Sequence, residues 1–309
     1  MTVFGPFAYK PHCSASSPLV VLVTTSRSLL ALLALLGAAE TAQAQDKPAS
    51  CPYDSAHFDL FKPVPRNRLR PLRPDRPGVT ESPFTVDAGH FQTETDALRL
   101  INGRDDDIRS REWKAAYTTL KLGLSRRTDV QLEVPLYKVS KERQATETTW
   151  QRAAGFGDLA LRVKHNFLGD DQEGPVAVAV VAYTRLPTGG QAGSGGVEGG
   201  LILPVNIELP DNFNLDVQVE SDLNYDRETG RLYVQVMPSI ALDHEFNEVF
   251  SFLVEGVTRW DAQQSGWRTS VNVAPIFTVN PNLQFDFGAH LALNKETDRE
   301  FFVGFTFRR

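Results

Sequence analysis

Cysteine is nearly absent from this 309-residue chain: there are two, Cys13 and Cys51. Cleavage of the leader described below would leave Cys51 alone, and one thiol closes no intramolecular bridge, so a disulfide framework is excluded. A lipid-attachment reading of Cys51 fails too, because Pro48 stands where such a motif wants Leu, and Asp46 and Lys47 crowd the site. Histidine is scarce, with six scattered singly, no His-x-x-x-His pair and no cysteine partner, so no metal site is expected. No cofactor is expected either. The glycine-rich run Thr188 to Gly196 is followed by no Lys-Ser/Thr pair and no helical pattern, and reads as a flexible loop rather than a phosphate cradle.

An excess of basic residues is also lacking. The net charge is −6, which argues against a nucleic-acid partner. Long apolar runs are missing with one exception, Ser28 to Ala39, so a bundle of membrane-spanning helices is excluded. That run follows Arg27 and precedes Ala42-Gln43-Ala44, a small-x-small site. Residues 1–44 therefore read as a secretory signal peptide cleaved after Ala44. The stretch before Arg27 is long for such a leader, and the start codon is expected to lie further in.

What the chain has is alternation. From about Phe84 onward, apolar and polar side chains take turns in runs of roughly ten to thirteen residues. Phe213 to Leu223 is the clearest run, with greasy odd positions and polar or acidic even ones. A period of two puts the two sets on opposite faces of a strand, and about nine to eleven tilted residues cross a bilayer. The fold class expected is all-β: a transmembrane antiparallel barrel over residues 83–309 with lipid outside and a polar interior. Twelve strands are expected, at about 84–91, 112–124, 129–138, 156–168, 176–187, 199–209, 212–224, 231–243, 248–260, 266–278, 282–293 and 301–307. Early odd connections (92–111, 139–155, 188–198) are long and even ones short, as an N-terminus in the periplasm requires. Trp113, Trp260 and Trp267 fall at the external strand ends, where an aromatic girdle belongs. Pro204, Pro238 and Pro275 lie inside strands, where each costs a ladder hydrogen bond or marks a bulge.

Residues 45–82 carry Pro63, Pro65, Pro71, Pro74 and Pro77 with Arg66, Arg68, Arg70, Arg73 and Arg76. They form neither helix nor central strand. Two readings stand: a disordered periplasmic leader, or a segment whose arginines fold into the barrel mouth and pair with acidic lumen residues.

Projecting the polar face inward gives candidate lumen and solute-path residues: Arg162, Lys164, Glu208, Asp216, Gln218, Glu220, Glu255, Arg259, Asp286 and His290. Glu133, Tyr137, Asp158, Asn206, Asp222, Arg268 and Asn272 share that face. Arg162, Asp216, Gln218, Glu255 and Asp286 form a belt near half height. Such a belt either fills the barrel by cross-lumen pairing or makes a polar constriction that selects solutes. No catalytic residues are expected; a Ser/His arrangement would draw on His90 or His290, set near serines or acids in the closed barrel, and nothing in the spacing supports one.

The segment Asp75 to Glu94, DRPGVTESPFTVDAGHFQTE, resembles the start of the bacterial outer-membrane family labelled "MetA-pathway of phenol degradation". The similarity continues through Leu124–Tyr137, Gly155–Phe167 and Leu186–Gly189. It implies an outer-membrane barrel passing aromatic or other small organic solutes, with no catalytic residues to carry over. The implied partners are outer-membrane lipid, the barrel-assembly machinery and a small-molecule solute. A structural or adhesive barrel, a lipid-acting barrel enzyme and a secreted β-sandwich are the competing readings. One departure is the C-terminus, where Arg308 and Arg309 follow the aromatic Phe307 that such barrels commonly end on.

Overall fold

The computed structural model describes residues 58–105, 108–144, 146–169, 174–263 and 266–309. The expected signal peptide and both cysteines lie outside the described residues. Thirteen strand segments make up one sheet: β1 Phe91–Asp105, β2 Ile108–Ser125, β3 Thr128–Gln144, β4 Gln151–Gly155, β5 Leu159–Leu168, β6 Val176–Leu186, β7 Glu198–Leu209, β8 Phe213–Asp226, β9 Arg231–Glu245, β10 Phe250–Asp261, β11 Arg268–Asn280, β12 Leu283–Ala292 and β13 Arg299–Arg308. Neighbouring strands pair antiparallel, and the β1–β13 pairing closes the ring that β2–β3 continues. β4 and β5 both pair with β3, one above the other, so the wall has twelve positions. Closure leaves no free edge, which is what a bilayer demands of a spanning sheet.

The interruption between β4 and β5 has a cause in β3. Pro135 carries no N–H and cannot continue the ladder there; its carbonyl instead accepts from Gly157 N at 2.9 Å. The three in-strand prolines act differently. Opposite Pro204, Pro238 and Pro275 the ladder to one neighbour skips two pairs and resumes in the same register. Each proline thus costs ladder bonds locally without making a bulge.

The polar–apolar alternation sorts as expected on most strands. Gln218 and Asp222 of β8 are buried inward while Val219 and Leu223 are exposed on the outer wall. The faces shift at the bulge between Asp96 and Leu98 of β1, beside Ala116 with its positive φ. Beyond it Lys114 and Lys138 both reach Glu112, and Tyr137 shares the outward side with Trp113. Tyr137 is therefore not a lumen residue.

Connections at one end are short. Between β7 and β8, Asp211 and Asn212 both adopt φ of 61°, a left-handed pair that Asp and Asn tolerate and that suits a tight hairpin. At the other end the connections are mostly longer, but the first is only 106–107, because β1 and β2 run on together as a paired ribbon. Of residues 92–111, expected to be a loop, 92–105 and 108–111 are strand. Residues 84–90, expected to be the first strand, are not; they precede it. The other eleven expected strands overlap observed ones.

The outer wall carries Trp113, Trp260 and Trp267 near the loop end. At the turn end a phenylalanine girdle was not anticipated: Phe91, Phe167, Phe277, Phe285 and Phe307 are all exposed there. Outward charge in the apolar band between these girdles is costly. Ile240→Arg, at an exposed mid-strand position of β9, is expected to destabilise the barrel by about 2–4 kcal/mol. Urea unfolding from lipid vesicles measures it, and an unchanged midpoint would mean that this face does not meet hydrocarbon.

Candidate functional site

The described part of the proline- and arginine-rich stretch, from Phe58, runs into the lumen from the turn end, reverses at Arg76–Glu81, and returns to start β1 at Phe91. Of the two readings of this stretch, the one with arginines pairing to lumen acids describes it. Prolines suit it because an inserted strand needs no ladder, and fixed φ lowers the ordering cost.

Its anchors can be followed upward. At the base, His90 Nε2 meets the Val64 carbonyl at 2.6 Å, and Arg70 Nε pairs with Asp87 at 2.7 Å, joining the rising and returning limbs. Arg308 Nη1 donates to the Arg70 carbonyl at 2.8 Å and its Nε to Asn282 Oδ1 at 3.0 Å. Arg308, the residue after Phe307, thus holds the inserted segment against the wall. Higher up, Arg73 reaches Glu208 at 2.9 Å, and Asp75 accepts from Lys164 Nζ at 2.5 Å and from Lys121. Burial alone would raise the Asp75 carboxyl, but Lys121 and Lys164 outweigh it and hold it well below the usual carboxylate range. Ser82 N donates to Asp75 Oδ1 at 3.0 Å, tying the two limbs of the hairpin just below its tip.

The tip is gripped from several strands. On the inner wall Asp96, Gly304 and Asp286 stand side by side across β1, β13 and β12. The guanidinium of Arg76 lies in that slot and pairs with both carboxylates. Gly304 is required there, since a Cβ would occupy the guanidinium's space. The N–H groups of Val79 and Thr80 converge on Glu255 at 2.9 and 2.5 Å, and Asn272 Nδ2 adds a third donor at 2.6 Å. These donors satisfy a carboxylate that is 1% exposed, as burial demands. Glu81 N donates to Gln218 Oε1 at 2.7 Å, and its carboxylate pairs with Arg162, which also holds Glu133 at 2.5 Å.

Four of the five residues of the expected belt, Arg162, Gln218, Glu255 and Asp286, are therefore the ones that bind the hairpin tip. The fifth, Asp216, contacts Asn206 at 2.9 Å instead. Of the other candidates, Lys164 is wholly buried against Asp75 and the Ser82 carbonyl, and Glu208 holds Arg73. Glu220 accepts from Gln218 Nε2 at 3.3 Å. Arg259 approaches Met237 Sδ at 3.5 Å. His290 lies 3.5 Å from Glu300, which Arg99 also holds at 2.6 Å. All ten face inward. Asp158 serves another purpose: it accepts from Gly189 N at 2.7 Å and Ser194 N at 2.5 Å. The glycine-rich loop expected to be flexible is folded around that carboxylate and clasped by Arg227 through three carbonyls. Among the described residues neither His90 nor His290 hydrogen-bonds a serine: His90 meets backbone carbonyls and His290 lies beside Glu300.

Sequence reasoning named Arg76 only as one of five leader arginines, and missed Asp75 and Glu81 at the tip and the partners Glu94, Asp96 and Lys121. Arg76 and Asp286 are 210 positions apart, and no local pattern links them. Beside the hairpin, toward the turn end, lies a cavity of about 680 Å³ between the leader and the wall of β7 to β12.

Comparison with known proteins agrees with this architecture. The family described as "Putative MetA-pathway of phenol degradation" matches residues 74–308, from just before the hairpin tip to the penultimate residue. No curated protein matches. Among solved structures, the COG4313 outer membrane channel from Pseudomonas putida F1 is 13% identical with a TM-score of 0.50, covering 71% of this chain and 93% of that one. The NanC porin is 12% identical (TM-score 0.42, 68% and 99% covered). The KdgM porin in complex with disordered oligogalacturonate is 8% identical (TM-score 0.43, 71% and 98% covered). With its closed wall, apolar exterior and charged interior, this β-barrel belongs to the family described as "Putative MetA-pathway of phenol degradation".

Proposed function

We propose that this chain is a channel for small organic solutes across the outer membrane, regulated in width by its own inserted hairpin, and not an enzyme. The observation that carries the reading is the cavity between leader and wall. It lies inside the barrel, it is bounded by the hairpin rather than by the wall alone, and it is large enough for a small organic molecule. The fold it shares with a protein described as an outer membrane channel supports it. The barrel-assembly machinery is the expected partner in folding.

A structural barrel is the second reading, and the same hairpin favours it, because the belt charges are already neutralised by the chain itself. Conductance separates the two. In planar bilayers, replacing Pro74–Ser82 by a glycine–serine linker is expected to raise single-channel conductance several-fold over the full mature chain. Equal, negligible currents from both would leave only the structural barrel. Ion selectivity gives a finer test. Arg162→Ala is expected to shift the reversal potential toward cations and Asp216→Ala toward anions, and no shift in either would remove both from the path.

The anchoring of the tip makes its own prediction. Arg76→Ala leaves Asp286 buried without its cation, at a cost of about 3–5 kcal/mol if the hairpin stays in place. Release of the hairpin relieves that cost, so limited proteolysis is expected to cut the variant between residues 66 and 90 while the barrel stays intact. Protection equal to wild type would show that Arg76 is not the clasp.

A further inference from the structure

The acids inside the barrel are met in different ways. Asp75, Glu81, Asp87, Asp96, Glu133, Glu208, Asp286 and Glu300 all pair with a lysine or arginine, while Asp129, Asp222 and Glu255 each accept from two or more neutral donors. Asp216 on β8 and Asp243 on β9 form no ion pair among the described residues either. Asn214 lies directly across from Asp243, and Asn214 and Asp216 share one face of β8. The two carboxylates are thus diagonal neighbours on the inner wall, a separation that one small group can bridge. Both line the 680 Å³ cavity, as does Asn206.

Asn206 supplies a second observation independent of charge. It is 3% exposed, and its Nδ2 donates to Asp216 Oδ1 at 2.9 Å. A carboxylate only accepts, so this contact fixes the amide orientation. The Asn206 Oδ1 that is left over is buried and receives no hydrogen bond, and neither does Asp243 Oδ2. Buried acceptors without donors are costly and uncommon. Arg73 of the leader stands close by without pairing to either carboxylate: it pairs with Glu208 at 2.9 Å, reaches Asn214 Oδ1 at 3.4 Å and lies 4.7 Å over the ring of Phe84.

The same cavity has an apolar wall. Leu253 and Ile276 point inward, nearly buried, and pack with Ala241 as the core cluster of the structure. Donor-hungry carboxylates beside an aliphatic surface match a molecule with a cationic head and an apolar body.

We propose that the cavity binds an organic ammonium ion of arylalkylamine type. Its three N–H donors meet Asp216, Asp243 and the Asn206 carbonyl, and its ring lies on Leu253 and Ile276. The inference deepens the channel reading by naming a solute class, and it rests on that reading for the route by which the solute arrives. Carboxylate pairing gives the head its preference for positive charge, and the apolar wall excludes simple metal cations from equal binding.

Binding is testable without conduction. The mature chain in non-ionic detergent is titrated calorimetrically with phenethylammonium, with 2-phenylethanol as its uncharged counterpart and with methylammonium, which lacks the ring. Phenethylammonium is expected to bind at least about tenfold more tightly than either. The double variant Asp216→Asn, Asp243→Asn is expected to lose that advantage while its weak affinity for 2-phenylethanol stays the same. Equal affinity of the wild-type chain for phenethylammonium and 2-phenylethanol, or no binding of phenethylammonium, overturns the proposal. So does undiminished phenethylammonium binding by the folded double variant. The comparison of probes on the wild-type chain decides the matter even if the variant does not fold. A barrel that binds phenethylammonium but carries no current would refute the channel and keep the site; one that conducts without binding would do the reverse.

Discussion

The guanidinium of Arg76, seated between carboxylates from two strands that flank a third, is the contact around which the interior is arranged. A ring of inward charges in a barrel of this width cannot all be solvated by bulk water once a segment lies in the lumen. Each must find a counter-charge or a set of donors. The hairpin supplies Arg76 to Asp96 and Asp286, Glu81 to Arg162, Asp75 to Lys121 and Lys164, and two backbone N–H groups to Glu255. The wall and the leader are electrostatically incomplete apart, and together they leave few lumen charges unmatched. Asp216 and Asp243 stand out because the acceptors beside the cavity, Asn206 Oδ1 and Asp243 Oδ2, are buried without a donor.

The exterior obeys a different constraint. Lipid offers no hydrogen bonds, so the backbone must satisfy itself around a closed ring. That tolerance is not absolute. Pro135, Pro204, Pro238 and Pro275 all sit in the wall, and the sheet absorbs them by skipping pairs or splitting a strand while keeping register elsewhere. Register is preserved because a slip of one residue would turn the Gln218 face to lipid and the Val219 face to the lumen. Side-chain chemistry thus enforces the ladder where backbone chemistry has gaps.

The same distinction explains what could be read from the sequence. The wall was legible because its two solvents differ so strongly: Phe213 to Leu223 records lipid and lumen residue by residue. The belt was legible for the same reason, as inward charges at strand centres. What occupies the belt was not. Thr85-Val86-Asp87-Ala88-Gly89 alternates like a strand, yet it lies inside the barrel with Val86 and Ala88 buried and Asp87 bound to Arg70. Alternation reports two unlike environments, and a segment packed between wall and leader has those as well. The polar stretch after Phe91 misled in the opposite sense, since β1 and β2 pair with each other past the bulge whatever their hydropathy. Partners separated by some two hundred residues leave no local periodicity; only the composition of the leader, five arginines among prolines, pointed to the acids opposite.

A segment held by buried ion pairs is not thereby held tightly. Desolvating both partners offsets most of their attraction, so such pairs specify position more than they add stability. In a protein core, separating them would strand charges in a dry interior. In a barrel lumen, withdrawal of the hairpin admits water, and Asp96, Asp286, Glu255 and Arg162 regain the hydration they gave up. The inserted and withdrawn states then differ by much less than the number of contacts suggests. The network fixes where the tip sits when it is in, and under the proposed channel reading a solute that prefers one of the states would shift the balance between them.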